Sequence, residues 1–445
     1  MNKAICKILM VCMIIFTFTA CNNQNKTIVE DKGELEAVIP MGYNEKITPQ
    51  ASVTDNEALT YEQLDLPKDF IENAYEHVEK IASFGIREAG SDAEAAADEY
   101  IIKCLKQSGI EAVKEQFYFQ YYNMGKVSVN GKEISYDKIC FNPYENIKLN
   151  GKGEIYNKLK DQSNKIVILQ SQEASLYNIN AKTILCINKS DFEWVKREGS
   201  IQVNINTEID KKISYNVVAN INSTKKDAKS IIISAHMDSI NGPGACDNAS
   251  GVGVALELAK YYASVRKSIP YNIKFIFYGA EELGLLGAQA YISQHAKELS
   301  DCALVFNIDE VGGKQIFIEI DGGEQGNSCS LQAPNANLYA ETDYDFKWYN
   351  NNFELSYMIP DWLSANIKDS CKELSYSFNS GKGMGSDHQI FARYGIPATN
   401  IAIIDEDIIT HSSKDTADKV NPESLLKAAR IVASVVNKTM KSSME

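Results

Sequence analysis

The chain has 445 residues, 44% of them hydrophobic, and a formal net charge of −14. At ~100–200 residues per domain, this length implies two or three domains and ample apolar material for a large core. An acidic chain without basic clusters excludes nucleic acid as the expected partner.

Residues 1–20 read as a targeting segment. Lys3 and Lys7 give a positive start, and Ile8 to Phe18 form an apolar stretch too short for a comfortable membrane span. The stretch ends in Phe18-Thr19-Ala20-Cys21. Small residues before a cysteine resemble a bacterial lipoprotein signal, with cleavage before Cys21 and lipid on its thiol. Phe18 departs from the more usual Leu. An ordinary secretory signal, giving a secreted protein, and an uncleaved anchor are the competing readings. The expectation is a protein anchored outside the cytoplasmic membrane through Cys21. Residues 21–60 are polar and suit a flexible tether. Seven cysteines follow Cys21 without zinc-ribbon spacing, so mostly free, buried thiols are expected.

The body opens at about residue 61. Phe70, Ala74, Tyr75, Val78 and Ile81 recur at helical spacing and predict a helix over 66–83. Ser91 with Glu94 three residues on is a capping-box signal for a second helix, to about Leu105. Val113 to Phe119 reads as a strand. Residues 121–212 change character: they are rich in Asn, Lys and Tyr, with short apolar runs at Ile166–Leu169, Thr183–Ile187 and Ile201–Ile205. A small β-rich insertion is expected there, with a short helix around Trp194. It holds no histidine, which favours a structural or substrate-shaping role over a second site.

From Ile213 strands and helices alternate. Tyr215–Ile221, Ile231–Ala235, Ile273–Tyr278, Ala303–Ile308, Gln315–Ile320 and Ala398–Ile404 read as strands. Helices are expected after Ser250, Gly284, Pro360, Ser386 and Asn421, the last with Pro422 at its first position. This pattern implies an α/β three-layer sandwich with a largely parallel central sheet, built from 61–120 and 213–445.

Polar residues gather where those strands stop. One strand leads into His236 and Asp238, which period-two alternation places on one side. A lone His-x-Asp is more often a satisfied surface pair. The other strand ends change those odds, because they lead into Glu281-Glu282, Asp309 and, through an acidic loop, His411. Ligand sites in open α/β sheets lie beyond the carboxyl ends of the strands. Two cations ~3.5–4 Å apart need an anionic bridge. Asp247 can bridge, leaving His236 and Asp309 for one ion and Glu282 and His411 for the other. Those three carboxylates and a bridging hydroxide balance two Zn2+ ions. Glu281 is left over as a general base, and Asp238 can fix the His236 tautomer.

His236-x-Asp238, Gly244-x-x-Asp247-Asn248-x-Ser250-Gly251, Glu281-Glu282-x-Gly284-x-x-Gly287, Asn307-x-Asp309 and Ser386-Asp387-His388 occur in this order. Together they resemble the co-catalytic zinc aminopeptidases of the bacterial leucyl-aminopeptidase type, whose relatives include glutamate carboxypeptidase and glutaminyl cyclase. The resemblance covers roughly 66–120 and 213–440, and Arg87 fits it too. It implies a zinc exopeptidase-like fold and two Zn2+ per chain on His236, Asp247, Glu282, Asp309 and His411. It gives Glu281 the base role and Asp238 a supporting one, the assignment the charge count gave. It also implies that Asp387 and His388 support the site, with Asp387 hydrogen-bonded near Glu281. The insertion has a weak likeness to the protease-associated domain, resting on position. Two residues depart from the pattern: Cys246, where a polar residue is usual, and Glu310, where an apolar one is common. His77 and His295 are expected to be solvated on helix surfaces.

The expected function is a metal-dependent aminopeptidase acting on peptide substrates, with the hydroxide between two zinc ions as nucleophile. No obligate protein partner is evident. Within the same fold, a carboxypeptidase would need a basic pocket, and a glutaminyl cyclase would work with one metal. A lipid-anchored peptide-binding protein would have no use for Glu281 beside Glu282.

Overall fold

The computed structural model describes residues 64–134, 136–141, 148–155, 162–170, 181–198, 201–323, 336–338, 357–405 and 407–442. Residues 1–63, with Cys21 and the expected signal and tether, lie outside them.

Helix α1 (Phe70–Ala82) buries Phe70, Ala74, Val78 and Ile81, one stripe at helical spacing. Helix α2 (Asp92–Gln107) starts at Ser91, whose hydroxyl accepts the Glu94 N–H. The Glu94 carboxylate accepts from Gly90 rather than from the cap residue, so the expected box closes one residue earlier. Strand β1 (Glu111–Val129) follows, then β2 (Lys132–Ile134), β3 (Tyr136–Phe141), β4 (Lys148–Ile155), β5 (Gln162–Gln170) and β6 (Ala181–Ile187). Helix α3 (Lys189–Val195) carries Trp194. Strand β7 (Gln202–Ile221) pairs antiparallel with β1 from Glu111↔Asn220 to Val129↔Val203. Both strands are longer than their apolar runs. Cross-strand pairing, with a register shift between Met124 and Val127, holds polar stretches such as Lys211-Lys212 in the ladder. Positions 121 and 212 therefore fall inside paired strands, through which the insertion is continuous with the main sheet.

Strand β8 (Ser230–His236), helix α4 (Gly251–Ser264), β9 (Asn272–Tyr278), α5 (Leu286–His295), β10 (Cys302–Ile308), β11 (Gln315–Glu319) and β12 (Ala336–Leu338) come next. Helix α6 (Asp361–Glu373), β13 (Asn379–Gly381), α7 (His388–Arg393), β14 (Ala398–Ile404) and α8 (Pro422–Ser442) complete the chain. The sheet runs β13-β11-β14-β10-β8-β9-β7, with β1 beside β7. Its centre, β14-β10-β8-β9, is parallel, and β11 and β7 flank it antiparallel.

Alternation sorts each central strand between two cores. Ile231, Ile233 and Ala235 face the larger core, shared with α1, α4 and α8, while Ile232 faces the smaller one under α5 and α7. Helices thus cover both faces, giving the three layers expected. A separate cluster, with Val127, Ile168, Leu185 and Val195, forms the core of the insertion. Cys246, Cys302 and Cys371 are buried free thiols, and Cys104 is free and half-buried.

Candidate metal centre

The parallel strands end together, so their C-terminal side chains converge. β8 ends on His236, and β10 ends one residue before Asp309. The loop after β9 carries Glu281 and Glu282, and the loop after β14 carries His411. Asp247 comes from the turn that opens α4. There Asn248 accepts the Gly251 N–H at 2.9 Å and donates to the Ile308 carbonyl at 2.9 Å, tying the turn to β10. A Cβ on Gly251 would lie 2.3 Å from Asn248 Oδ1 and 2.4 Å from the Ile308 carbonyl, so only glycine fits. The Asp247–Asn248 peptide is cis.

His236 Nε2 lies 3.1 Å from Asp247 Oδ1 and 3.1 Å from Asp309 Oδ1. His411 Nε2 lies 3.0 Å from Asp247 Oδ2 and 2.9 Å from Glu282 Oε2. The potential ligand atoms form two groups, His236-Asp247-Asp309 and Asp247-Glu282-His411, each within 4.8 Å, with Asp247 common to both. The structure therefore brings together all five residues singled out by the sequence. Among the described residues, buried His236 Nδ1 and Glu282 Oε1 have no hydrogen-bond partner. This donor set of imidazole and carboxylate fits a pair of zinc-type cations.

The electrostatics point the same way. Burial alone would raise the Asp247 carboxyl, but His236 and His411 hold it below the usual carboxylate range. Burial and Asp247 raise Glu282 to about 7. Asp247 and Glu282 lift His411 to about 11. More acid is gathered here than two imidazoles can balance. Buried charge of one sign is costly without a counter-charge, and divalent cations supply one.

Glu281 belongs to neither group. Burial, then Asp387, Asp309 and Glu282, raise its proton affinity against the opposing pull of His236. Asp238 accepts the main-chain N–H groups of Glu281 (3.0 Å) and Glu282 (3.1 Å), and its Oδ1 lies 3.4 Å from His236 Nδ1. It thus holds the main chain of both glutamates and faces the His236 ring. Asp387 is buried, and among the described residues neither of its oxygens has a hydrogen-bond partner, so the bond expected near Glu281 is not formed. His388 belongs to neither ligand group and meets Glu319 at 2.9 Å. Glu319 also accepts from Tyr357 and Met384, bracing the loop before α7. Cys246 packs beneath the loop, buried and next to Gly312. Glu310 is driven up to about 9 by burial and by Asp247 and Asp309. Ala280, Glu310 and His411 all adopt left-handed backbone (φ 53°, 55° and 51°), strain concentrated in the loops of this site.

Two residues matter more than the sequence signalled. Arg87 is wholly buried, and its guanidinium donates to the carbonyls of Met237, Pro243 and Gly244, clamping the chain between His236 and Asp247. Asp415 is wholly buried and accepts from the main chain of Cys246 and Asp247. Asp415 follows His411 by four residues, and an acid so close to a ligand was the available signal. His77 and His295 are not solvated. His77 meets Tyr100 at 2.8 Å and Glu257 at 3.5 Å; His295 meets Glu115 at 2.8 Å and stacks on Tyr291.

Residues 216–436 match the profile of Peptidase family M28. The chain is 28% identical over 221 residues to aminopeptidase YwaD of Bacillus subtilis strain 168, spanning 47% of this chain and 41% of that protein. It is 28% identical over 240 residues to a putative endoplasmic reticulum metallopeptidase 1-B of Caenorhabditis elegans, spanning 52% of this chain and 23% of that one. The chain thus spans less than half the length of either relative. Its fold matches the structure of BSAP, a zinc aminopeptidase from Bacillus subtilis, with a TM-score of 0.61 at 20% identity, over 84% of this chain and 95% of that one.

Proposed function

We propose that the protein is an aminopeptidase that holds two Zn2+ ions per chain and removes amino-terminal residues from peptides. The observation that carries this is Asp247. Its two oxygens face two different imidazoles, at 3.1 and 3.0 Å, and complete two ligand groups at once. Relatives named as aminopeptidases and the zinc aminopeptidase of the same fold support the reading.

Bound there, the ions supply Lewis acidity, which polarises the scissile carbonyl and makes water a nucleophile near neutral pH. The protein does the rest. His236 and Asp309 would hold one ion and Glu282 and His411 the other, with Asp247 common to both groups. Glu281 takes the proton of the attacking water and delivers it to the leaving amine. Its buried setting raises its proton affinity, as a base working near neutral pH requires. The acidic surroundings of the two ligand groups suit the α-ammonium of a free amino terminus.

The test is a screen of aminoacyl-p-nitroanilides and amino-terminally blocked peptides, with metal analysis of the same sample. Cleavage of free-amine substrates alone is expected, lost on chelation and restored by zinc. Chelator-insensitive peptide binding without turnover would contradict the reading.

The anchor at Cys21 is a proposal resting on sequence, namely the small residues before Cys21 and the polar stretch after it. No helix among the described residues is long and apolar enough to cross a membrane. Cys21→Ser is expected to release the protein from membranes or leave the precursor uncut; fractionation like wild type would contradict it.

A further inference from the structure

The two ligand groups are built from unequal parts. His236 and Asp309 stand at the ends of central strands and are buried. His411 stands on a loop with its side chain 56% exposed, and its ring nitrogen lies 3.0 Å from Asp247 Oδ2 and 2.9 Å from Glu282 Oε2. Asp415 is in position to hold that exposed corner of the site in place. Its Oδ1 accepts the Cys246 N–H at 2.7 Å and its Oδ2 the Asp247 N–H at 3.0 Å, while its own carbonyl accepts the Ala245 N–H at 3.3 Å. One residue thereby binds three consecutive residues of the other ligand loop. The two loops also touch where a Cβ on Gly242 would lie 1.8 Å from the Ser412 carbonyl. Within its own loop, Asp415 is tied back by its N–H to the Ser412 carbonyl at 3.1 Å, next to His411.

We propose that Asp415 is the positioning residue of the exposed metal site, docking the His411 loop onto the Asp247 turn so that both residues reach one cation. This rests on the two-metal reading above. Asp415 touches neither ion nor substrate in this account; it acts through main-chain N–H groups. A carboxylate can accept from both N–H groups at once, whereas an amide must turn its NH2 toward one of them. Loosening the clamp moves two of the three ligands of the exposed site. In the buried site, His236 and Asp309 stay fixed on their strands.

The experiment is a zinc titration against competing chelators, resolving two affinities per chain, on the full chain and on Asp415→Asn. The weaker affinity is expected to fall about 10–100-fold, as when partners of metal ligands are removed, with a much smaller change in the tighter one. Asp415→Glu, which keeps the charge but displaces the carboxylate, is expected to give the same selective loss and covers the case in which the amide variant does not fold. Leu363→Ala, a core change in α6, controls for general destabilisation: it is expected to lower the thermal midpoint and leave both affinities in place. A wild-type chain that binds two ions, with variants that keep the weaker affinity or lose both equally, overturns the proposal alone. A wild-type chain that binds a single ion overturns the two-metal reading and this proposal with it.

Discussion

Glu281 and Glu282 are neighbours in sequence with the same side chain, yet the fold gives them different surroundings. Glu282 Oε2 points at His411, whereas Glu281 stands outside both ligand groups. Asp238 separates their tasks by holding both main-chain N–H groups with one carboxylate. Glu281→Gln keeps the shape and removes the proton acceptor. It is expected to retain both ions and lower kcat by about 10²–10⁴-fold, the usual contribution of a general base. Metal analysis and steady-state kinetics on one preparation check this; wild-type turnover would refute the base role. At this scale strand ends and motif spacing mark, in the sequence, the residues that the fold brings together. The sequence was silent about Arg87 and Asp415 as clamps. Their partners are main-chain carbonyls and N–H groups, which carry no residue identity and meet these side chains only after folding.

The elements around the site are coupled by polar contacts at helix crossings. His77 on α1 meets Tyr100 on α2 and Glu257 on α4, and Glu257 also faces Asn73 and Lys260. Burial alone would lower the His77 pKa, but its contacts with Cys104 and Glu257 raise it to about 9. A folded-state value above the unfolded one means that the stabilisation is complete below about pH 6.5 and is lost as pH rises through about 9. Up to about 3 kcal/mol is at stake on that shift. The gap in thermal midpoint between wild type and His77→Gln should be widest near pH 6 and close by about pH 10. A gap that stays constant across that range would contradict the assignment. An isolated amphipathic helix suggests a solvated His77, because the partners come from other helices. The same limit explains β1 and β7. Apolar runs locate their ends near the core, but their full length depends on the pairing between them.

Taken whole, the molecule is a sheet whose central strands end at a common edge, where the loops that follow them carry the candidate ligands. That architecture was legible in the sequence, since near-continuous apolar strands alternating with helices leave few other arrangements. The convergence of His236, Asp247, Glu282, Asp309 and His411 follows from it, because parallel neighbours place their carboxyl ends side by side. What was not legible was the unequal support of the two groups, one on strand ends and the other on a docked loop. Crystals of zinc-loaded protein measured at the zinc absorption edge test the central claim most directly. Two anomalous peaks ~3.5–4 Å apart are predicted, one against His236 and Asp309, the other against Glu282 and His411, with Asp247 between them. A single peak, or a pair away from Asp247, would contradict the account.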